Sequence, residues 1–183
     1  MSHWRILSRA FLHKKAKPRF AVNVQYDPEA EITGEVFIGE NTNIGKSKLI
    51  AKNGSIVAVD RNTNIRDHIL IYADEKCSQK SNNIFIGNKV FISSDVEIYG
   101  PVVISDEIFI GTKSMIINSD IGKGCLIEDN VLIKNVVIPS NIVIPSRSVI
   151  DSMESLNEVI NNSNQECYCE VFFQRNGGKL LCF

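Results

Sequence analysis

Isoleucine stands at positions 32, 38, 44, 50 and 56, and again at 86, 92, 98, 104, 110 and 116, with no second position repeating so strictly in apolar character between them. A half-buried strand repeats every two residues and an amphipathic helix every 3.6, so neither places an apolar anchor at each sixth position. A chain that turns a corner after every anchor does, and three corners close one triangular coil of about eighteen residues. The beat resumes at Val59, Ile65 and Ile71 after a change of phase, then at Ile121, Ile127 and Ile133, and at Ile138, Ile144 and Ile150. The pattern predicts an all-β solenoid of hexapeptide repeats over residues 28–150, each coil burying its apolar side only by stacking on its neighbours.

Four residues after many anchors comes a second small or β-branched residue: Val36, Thr42, Val90, Val96, Val102, Cys125, Val131, Val137 and Ile142. These are expected to point inward beside the anchors. One residue after several anchors stands Gly39, Gly45, Gly87, Gly111 or Gly122, read as corners that use positive φ. Beyond the repeats, Asp151 with Glu154 three residues on reads as a helix start, and Met153, Leu156, Val159 and Ile160 form a short apolar stripe, predicting a helix over 151–162 that closes the last coil. The tail, 163–183, carries two apolar runs around Asn176-Gly177-Gly178, the pattern of a hairpin or a partner-binding strand.

At 183 residues, with 44% apolar content and net charge −1, the chain is the size of one domain with short tails. It has no apolar run of the roughly eighteen residues that a membrane-spanning helix needs. Cysteines at 77, 125, 167, 169 and 182 are odd in number and scattered, unlike a disulfide framework, and suit a reducing compartment. Cys167 and Cys169 form a lone C-x-C, read as packing residues rather than metal ligands.

Charge divides the chain. Residues 1–20 hold six Lys and Arg and no acid, whereas the remainder holds 14 basic and 21 acidic side chains. Trp4, Leu7, Phe11 and Leu12 share one helical face, with Arg5 and Arg9 off it and Pro18 closing the segment. This predicts an N-terminal amphipathic helix. Three readings fit: a mitochondrial targeting peptide, a retained helix contacting an anionic membrane surface through Trp4, Arg5, Leu7, Arg9, Phe11 and Leu12, or a disordered basic tail. Nucleic-acid binding is not indicated, because the basic charge is confined to this segment and the solenoid is acidic.

The hexapeptide beat, the run Pro28-Glu29-Ala30-Glu31-Ile32-Thr33-Gly34-Glu35-Val36, the stretch Asn62-Thr63-Asn64-Ile65-Arg66-Asp67, the insertion at 73–85 and Ile138-Pro139-Ser140 together resemble the γ-class carbonic anhydrases. The resemblance covers roughly residues 28–150. It implies a left-handed parallel β-helix, an exception to the right-handed crossover rule, and trimers with zinc sites between subunits. In that family three neutral imidazoles hold a zinc ion whose bound water attacks carbon dioxide. The corresponding positions here read Tyr72, Ser94 and Tyr99, while the family's Arg-x-Asp element reads Ala51-Lys52-Asn53 and its glutamine beside Asp67 reads Arg66.

Three histidines occur in the whole chain, and of these His3 and His13 lie in the leader and only His68 in the solenoid. No three-histidine site is expected, hence no metal, no cofactor and no carbon dioxide hydration. Asp95, Glu97 and Tyr99 could form a carboxylate and tyrosine site, but read better as a solvated face. The resemblance is strongest to the carbonic anhydrase-like subunits of mitochondrial respiratory complex I (NADH:ubiquinone oxidoreductase). It implies a structural subunit of a heterotrimer with sister chains, peripheral on the matrix side of the inner membrane against the complex's membrane arm. The alternative is a hexapeptide-repeat acyltransferase, or another soluble homotrimeric enzyme, using His68 as base.

Overall fold

The computed structural model describes residues 17–74 and 82–162, and over them the chain is a parallel β-solenoid. A twelve-stranded sheet supplies two faces of the prism and a seven-stranded sheet the third. The first face stacks strands Glu31–Thr33, Lys48–Lys52, Leu70–Asp74, the start of Glu97–Ile104, the start of Met115–Ile121, Leu132–Lys134 and Val149–Ile150. The second runs from Arg19–Phe20 through Glu35–Ile38, Ile56–Val59 and Ile84–Ile86 to Val137–Ile138, and the third from Gln25–Tyr26 to Val143–Ile144.

Register explains the isoleucines. Ile98 lies opposite Ile71 on one side and Ile116 on the other, and Ile116 opposite Ile133, so one inward column runs through the coils. Ile92, Ile110, Ile127 and Ile144 form another, all fully buried. Parallel strands buried on a packed interior favour β-branched side chains for this reason.

Two anchors of the sequence pattern fall elsewhere. Leu49, not Ile50, lies opposite Ile32 and Ile71, while Ile50 pairs with Thr33 and Tyr72 on the outer side. Val57 and Val59, not Ile56, point inward on the next face. Side chains alternate along a strand, so a slip of one residue moves an isoleucine to the opposite surface. Val137 likewise is 60% exposed and Val136 takes the inward place, because Asn135 at positive φ makes the corner one residue tighter.

The corners also differ from expectation. Gly39, Gly45, Gly87, Gly111 and Gly122 are absent from the positive-φ set, in which Asn41, Asn62, Lys89, Glu107, Lys113, Asn130 and Asn141 stand instead. What these glycines provide is proximity: a Cβ on Gly39 would meet the Arg61 nitrogen at 2.6 Å in the next coil. Asn is the side chain that best tolerates the left-handed region. At one corner Asn23, Asn41, Asn62 and Asn88 form an amide ladder, each Nδ2 donating to the next Oδ1 at 3.2, 3.4 and 3.0 Å. Inside the corners, Thr42, Ser47, Thr63 and Ser114 are buried, and each hydroxyl donates to a carbonyl of the following coil.

The ladder begins at Arg19, nine residues before the predicted start at 28, because Arg19–Phe20 and Gln25–Tyr26 pair with Phe37–Ile38 and Asn43–Ile44. The extra residues of the insertion lie between Asp74 and Ile84, which both remain in strands. After the last coil, helix α1 (Met153–Asn162) buries Leu156 in the core cluster, with Val159 and Ile160 packed against it. Its cap is Ser152 rather than Asp151. Ser152 Oγ accepts from the Ser155 amide, and Ser155 Oγ accepts from the Ser152 amide, both at 3.2 Å. That reciprocal pair is a capping box with serine in the usual place of glutamate. The predicted amphipathic leader helix, the C-terminal hairpin and Cys77, Cys167, Cys169 and Cys182 lie outside the described residues.

Two substitutions probe this construction. Ile98→Ala, at a fully buried mid-stack position, is expected to cost about 2–5 kcal/mol in urea unfolding. Gly34→Ala is expected to cost more than the about 1–2 kcal/mol of left-handed backbone alone, because φ is +88° and the new Cβ would fall 1.8 Å from the Ala51 carbonyl oxygen.

Candidate functional site

Alternation along the strand Leu70–Asp74 sends Ile71 and Ala73 into the core and turns Leu70, Tyr72 and Asp74 outward. In the strand beginning at Glu97, Ile98 points inward while Glu97 and Tyr99 are outward and half-buried. Because Tyr99 pairs with Tyr72 across the coil step, the two rings meet edge to face with centroids 6.4 Å apart. Each phenol then donates along its own strand. Tyr72 donates to Asp74 Oδ2 at 2.7 Å, and Tyr99 donates to Glu97 Oε2 at 2.6 Å.

Neighbours complete the patch. Lys52 Nζ lies 5.2 Å from the centre of the Tyr72 ring, a cation over an aromatic face. Asn53 Nδ2 donates to Asp74 Oδ1 at 2.6 Å. Thus Lys52 and Asn53 hold the Tyr72–Asp74 pair from the preceding coil. The hydrogen bond to Glu97, then partial burial, then the charge of Glu97 push Tyr99 up from 10 to about 12. A phenol so held stays neutral and is a hydrogen-bond donor, not a base or an anionic ligand.

Ser94 does not join the tyrosines. It lies in the turn before Glu97, at the opposite edge of the first face, where its carbonyl accepts from the Lys113 amide at 3.2 Å. Within one chain, therefore, Tyr72 and Tyr99 converge and Ser94 is separate. A zinc site of three neutral imidazoles does not fit these residues, since the convergent pair offers phenols already committed to carboxylates. Among the described residues no three His, Cys, Asp or Glu side chains cluster as a metal site.

Asp95, Glu97 and Tyr99 are also divided: Glu97 and Tyr99 bond to each other, while Asp95 turns to the corner and approaches His68. His68 Nδ1 and Asp95 Oδ1 are 3.5 Å apart, with both side chains substantially exposed. Both residues have positive φ, near 60°, at stacked corners. Asp67, beside His68, is structural: its Oδ1 accepts from the Lys46 amide at 2.9 Å, as Asp106 and Asp129 do from Asn88 and Thr112. Cys125 is buried, donates to the Pro139 carbonyl and has its thiol pushed up by burial, so it packs rather than reacts. Trp4, Arg5, Leu7, Arg9, Phe11 and Leu12 lie outside the described residues. The roles of Asp74 and Glu97 as phenol acceptors were not anticipated, although Tyr-x-Asp and Glu-x-Tyr on strands put both partners on one side.

No protein-family model matches the chain. It is 26% identical to a carbonic anhydrase of Methanosarcina thermophila, in a match covering 56% of this chain and 47% of the relative. It is 30% identical to the carboxysome assembly protein CcmM of a Nostoc species, covering 55% and 19%. The chain thus spans about half, or less, of the length of the curated relatives it matches. In fold it is similar to a Bacillus cereus protein provisionally classed as an acetyltransferase, with a TM-score of 0.56 at 19% identity over 91% of this chain and 95% of that one. The chain is a parallel β-solenoid of hexapeptide repeats whose sequence is similar, over about half its length, to that of a carbonic anhydrase.

Alkaline titration of phenolate absorbance tests the tyrosine geometry. Tyr99 is expected to ionise near pH 12, and Glu97→Gln to return it toward the ordinary value of about 10. A folded pKa raised above the unfolded one stabilises the protein below pH ~10 and loses that contribution as pH rises through the folded value. The unfolding midpoint of the parent should therefore fall more steeply above that pH than the midpoint of Glu97→Gln.

Proposed function

We propose that this chain is a non-catalytic, γ-carbonic anhydrase-like structural subunit, one member of a trimer attached to the membrane arm of mitochondrial respiratory complex I. The observation that carries the reading is the Tyr72–Tyr99 pair. Where the γ-class resemblance calls for imidazoles, two phenols are closed onto Asp74 and Glu97, leaving no nitrogen to hold zinc and no group to generate hydroxide. A chain that keeps the prism and fills its metal positions with internally bonded side chains retains shape and surface rather than chemistry.

The assembly role draws on further features. Similarity extends both to an enzyme and to a protein named for carboxysome assembly, so this kind of solenoid serves in either capacity. Tyr72 and Tyr99 lie together while Ser94 sits at the far edge of the same face, as a site shared between adjacent subunits would require. On the second face Phe85 and Val103 pair and point outward, 44% and 41% exposed, and Val137, 60% exposed, follows beyond Asp120 in the same column, a mainly apolar surface suited to a protein neighbour. The mitochondrial setting rests on residues 1–20, basic throughout and free of acids. No helix among the described residues is long and apolar enough to cross a membrane, which fits attachment through partners.

His68 and Asp95 support a second reading. A carboxylate 3.5 Å from Nδ1 would orient the imidazole and leave Nε2 to act as a base, as a hexapeptide acyltransferase would need. Both groups stand on an exposed corner, which leaves the substrate pocket to a neighbouring subunit.

Mass spectrometry of native-gel bands from detergent-solubilised membranes separates the two. The structural reading expects co-migration with respiratory-complex subunits and histidine-bearing sister chains. It also expects no more than one zinc per trimer, since a subunit without ligands disables both interfaces it touches. Migration as a soluble homotrimer, with thioester turnover abolished by His68→Ala, would replace it with the acyltransferase.

A further inference from the structure

The two ends of the solenoid are finished differently. At the last coil Ile138, Ile144 and Ile150 are buried, and Leu156 of α1 belongs to the same cluster. At the first coil Phe20 and Tyr26 continue the inward columns, opposite Ile38 and Ile44, yet are 42% and 54% exposed. Their rings stack with centroids 5.2 Å apart and planes 19° from parallel. Val22, between them, is 63% exposed. Side chains aimed at a core, with no coil above them among the described residues, mark an end that needs a cover.

We propose that residues 1–16 are that cover, with Trp4, Leu7, Phe11 and Leu12 laid across the stacked rings of Phe20 and Tyr26. The chain leaves the solenoid at this end, since Lys17 and Pro18 run directly into Arg19–Phe20. As a helix, sixteen residues would be about 24 Å long, close to the roughly 20 Å of a six-residue side of the coil. Charge matches as well: residues 1–16 carry Arg5, Arg9, Lys14 and Lys15 and no acid, whereas residues 21–40 carry five acids and no Lys or Arg, of which Glu29 and Glu31 pair with Lys46 and Lys48 while Asp27, Glu35 and Glu40 complete the rim. With the apolar stripe turned to the coil, Arg5 and Arg9 lie off it, toward this acidic rim. The far end already uses the same device, an amphipathic helix next to the terminal coil. This inference is independent of the assembly role, and lipid contact by the same stripe is its rival.

Trp4 is the sole tryptophan, so its fluorescence reports on the segment without a label. In the full-length, lipid-free chain its emission should lie to the blue of N-acetyltryptophanamide, and acrylamide should quench it several-fold less efficiently. Phe20→Ala with Tyr26→Ala, on the coil, and Leu7→Asp, on the segment, should each shift emission to the red and restore quenching. Leu7→Asp alters no side chain of the solenoid, and an unchanged far-UV circular dichroism spectrum separates release of the segment from unfolding. The proposal is overturned by a Trp4 that is freely quenched without lipid and turns blue only on adding phosphatidylglycerol vesicles. Protection that grows with protein concentration would instead assign the end to a second copy, and protection indifferent to Phe20 and Tyr26 would place the segment elsewhere. Either result also defeats it.

Discussion

Parallel backbone pairing between coils, at the roughly 4.8 Å strand spacing, is the constraint from which the rest of this molecule follows. Every coil must present its carbonyls and amides to the next at the same height, so inward columns need side chains of nearly one size. Isoleucine and valine fill them. The corners meet the same spacing. Gly39 and its counterparts leave out a Cβ where the next coil passes within contact distance, and Thr42, Ser47, Thr63 and Ser114 carry a polar bond through the buried edge. These hydroxyls are satisfied, which is why polar side chains cost the core little.

The same constraint governs the tyrosine patch. Tyr72 and Tyr99 meet because register places them one above the other, and their acceptors are two residues away on their own strands. Nothing about the interior had to change to accommodate them, since Ile71 and Ile98 are packed as in the other coils. Outward chemistry on a solenoid can thus be replaced without disturbing the scaffold. One ladder can carry a metal site, a thioester site or a contact surface, which is why likeness of fold alone does not select among them.

How much was legible follows from what a periodic pattern can encode. The six-residue beat identified the solenoid because anchors at Ile86, Ile92, Ile98, Ile104, Ile110 and Ile116 coincide with the inward columns. It failed at Ile50 and Ile56, where the strand Lys48–Lys52 is long and the next corner contains Asn53 and Gly54, both at positive φ. A pattern of apolar letters does not distinguish Leu49-Ile50 in one phase from the other, whereas pairing does. The helix cap moved from Asp151 to Ser152 for a similar local reason, a reciprocal Ser152–Ser155 bond that apolar spacing does not register. The γ-class resemblance assigns its zinc-ligand positions to Tyr72, Ser94 and Tyr99. Their division into a convergent pair and a distant residue, and the closure of each phenol on a carboxylate, required three dimensions.

The asymmetry of the two ends bears on what the molecule cannot become. A parallel ladder with both terminal coils bare is a template, because each added chain would offer a fresh edge to the next and growth would run on as a filament. Here Leu156 of α1 is sealed into the core cluster at the last coil. Growth could then proceed only from the first coil, the end that residues 1–16 are proposed to cover. One short helix, held by two serines, thus removes one of the two edges that an open-ended polymer needs.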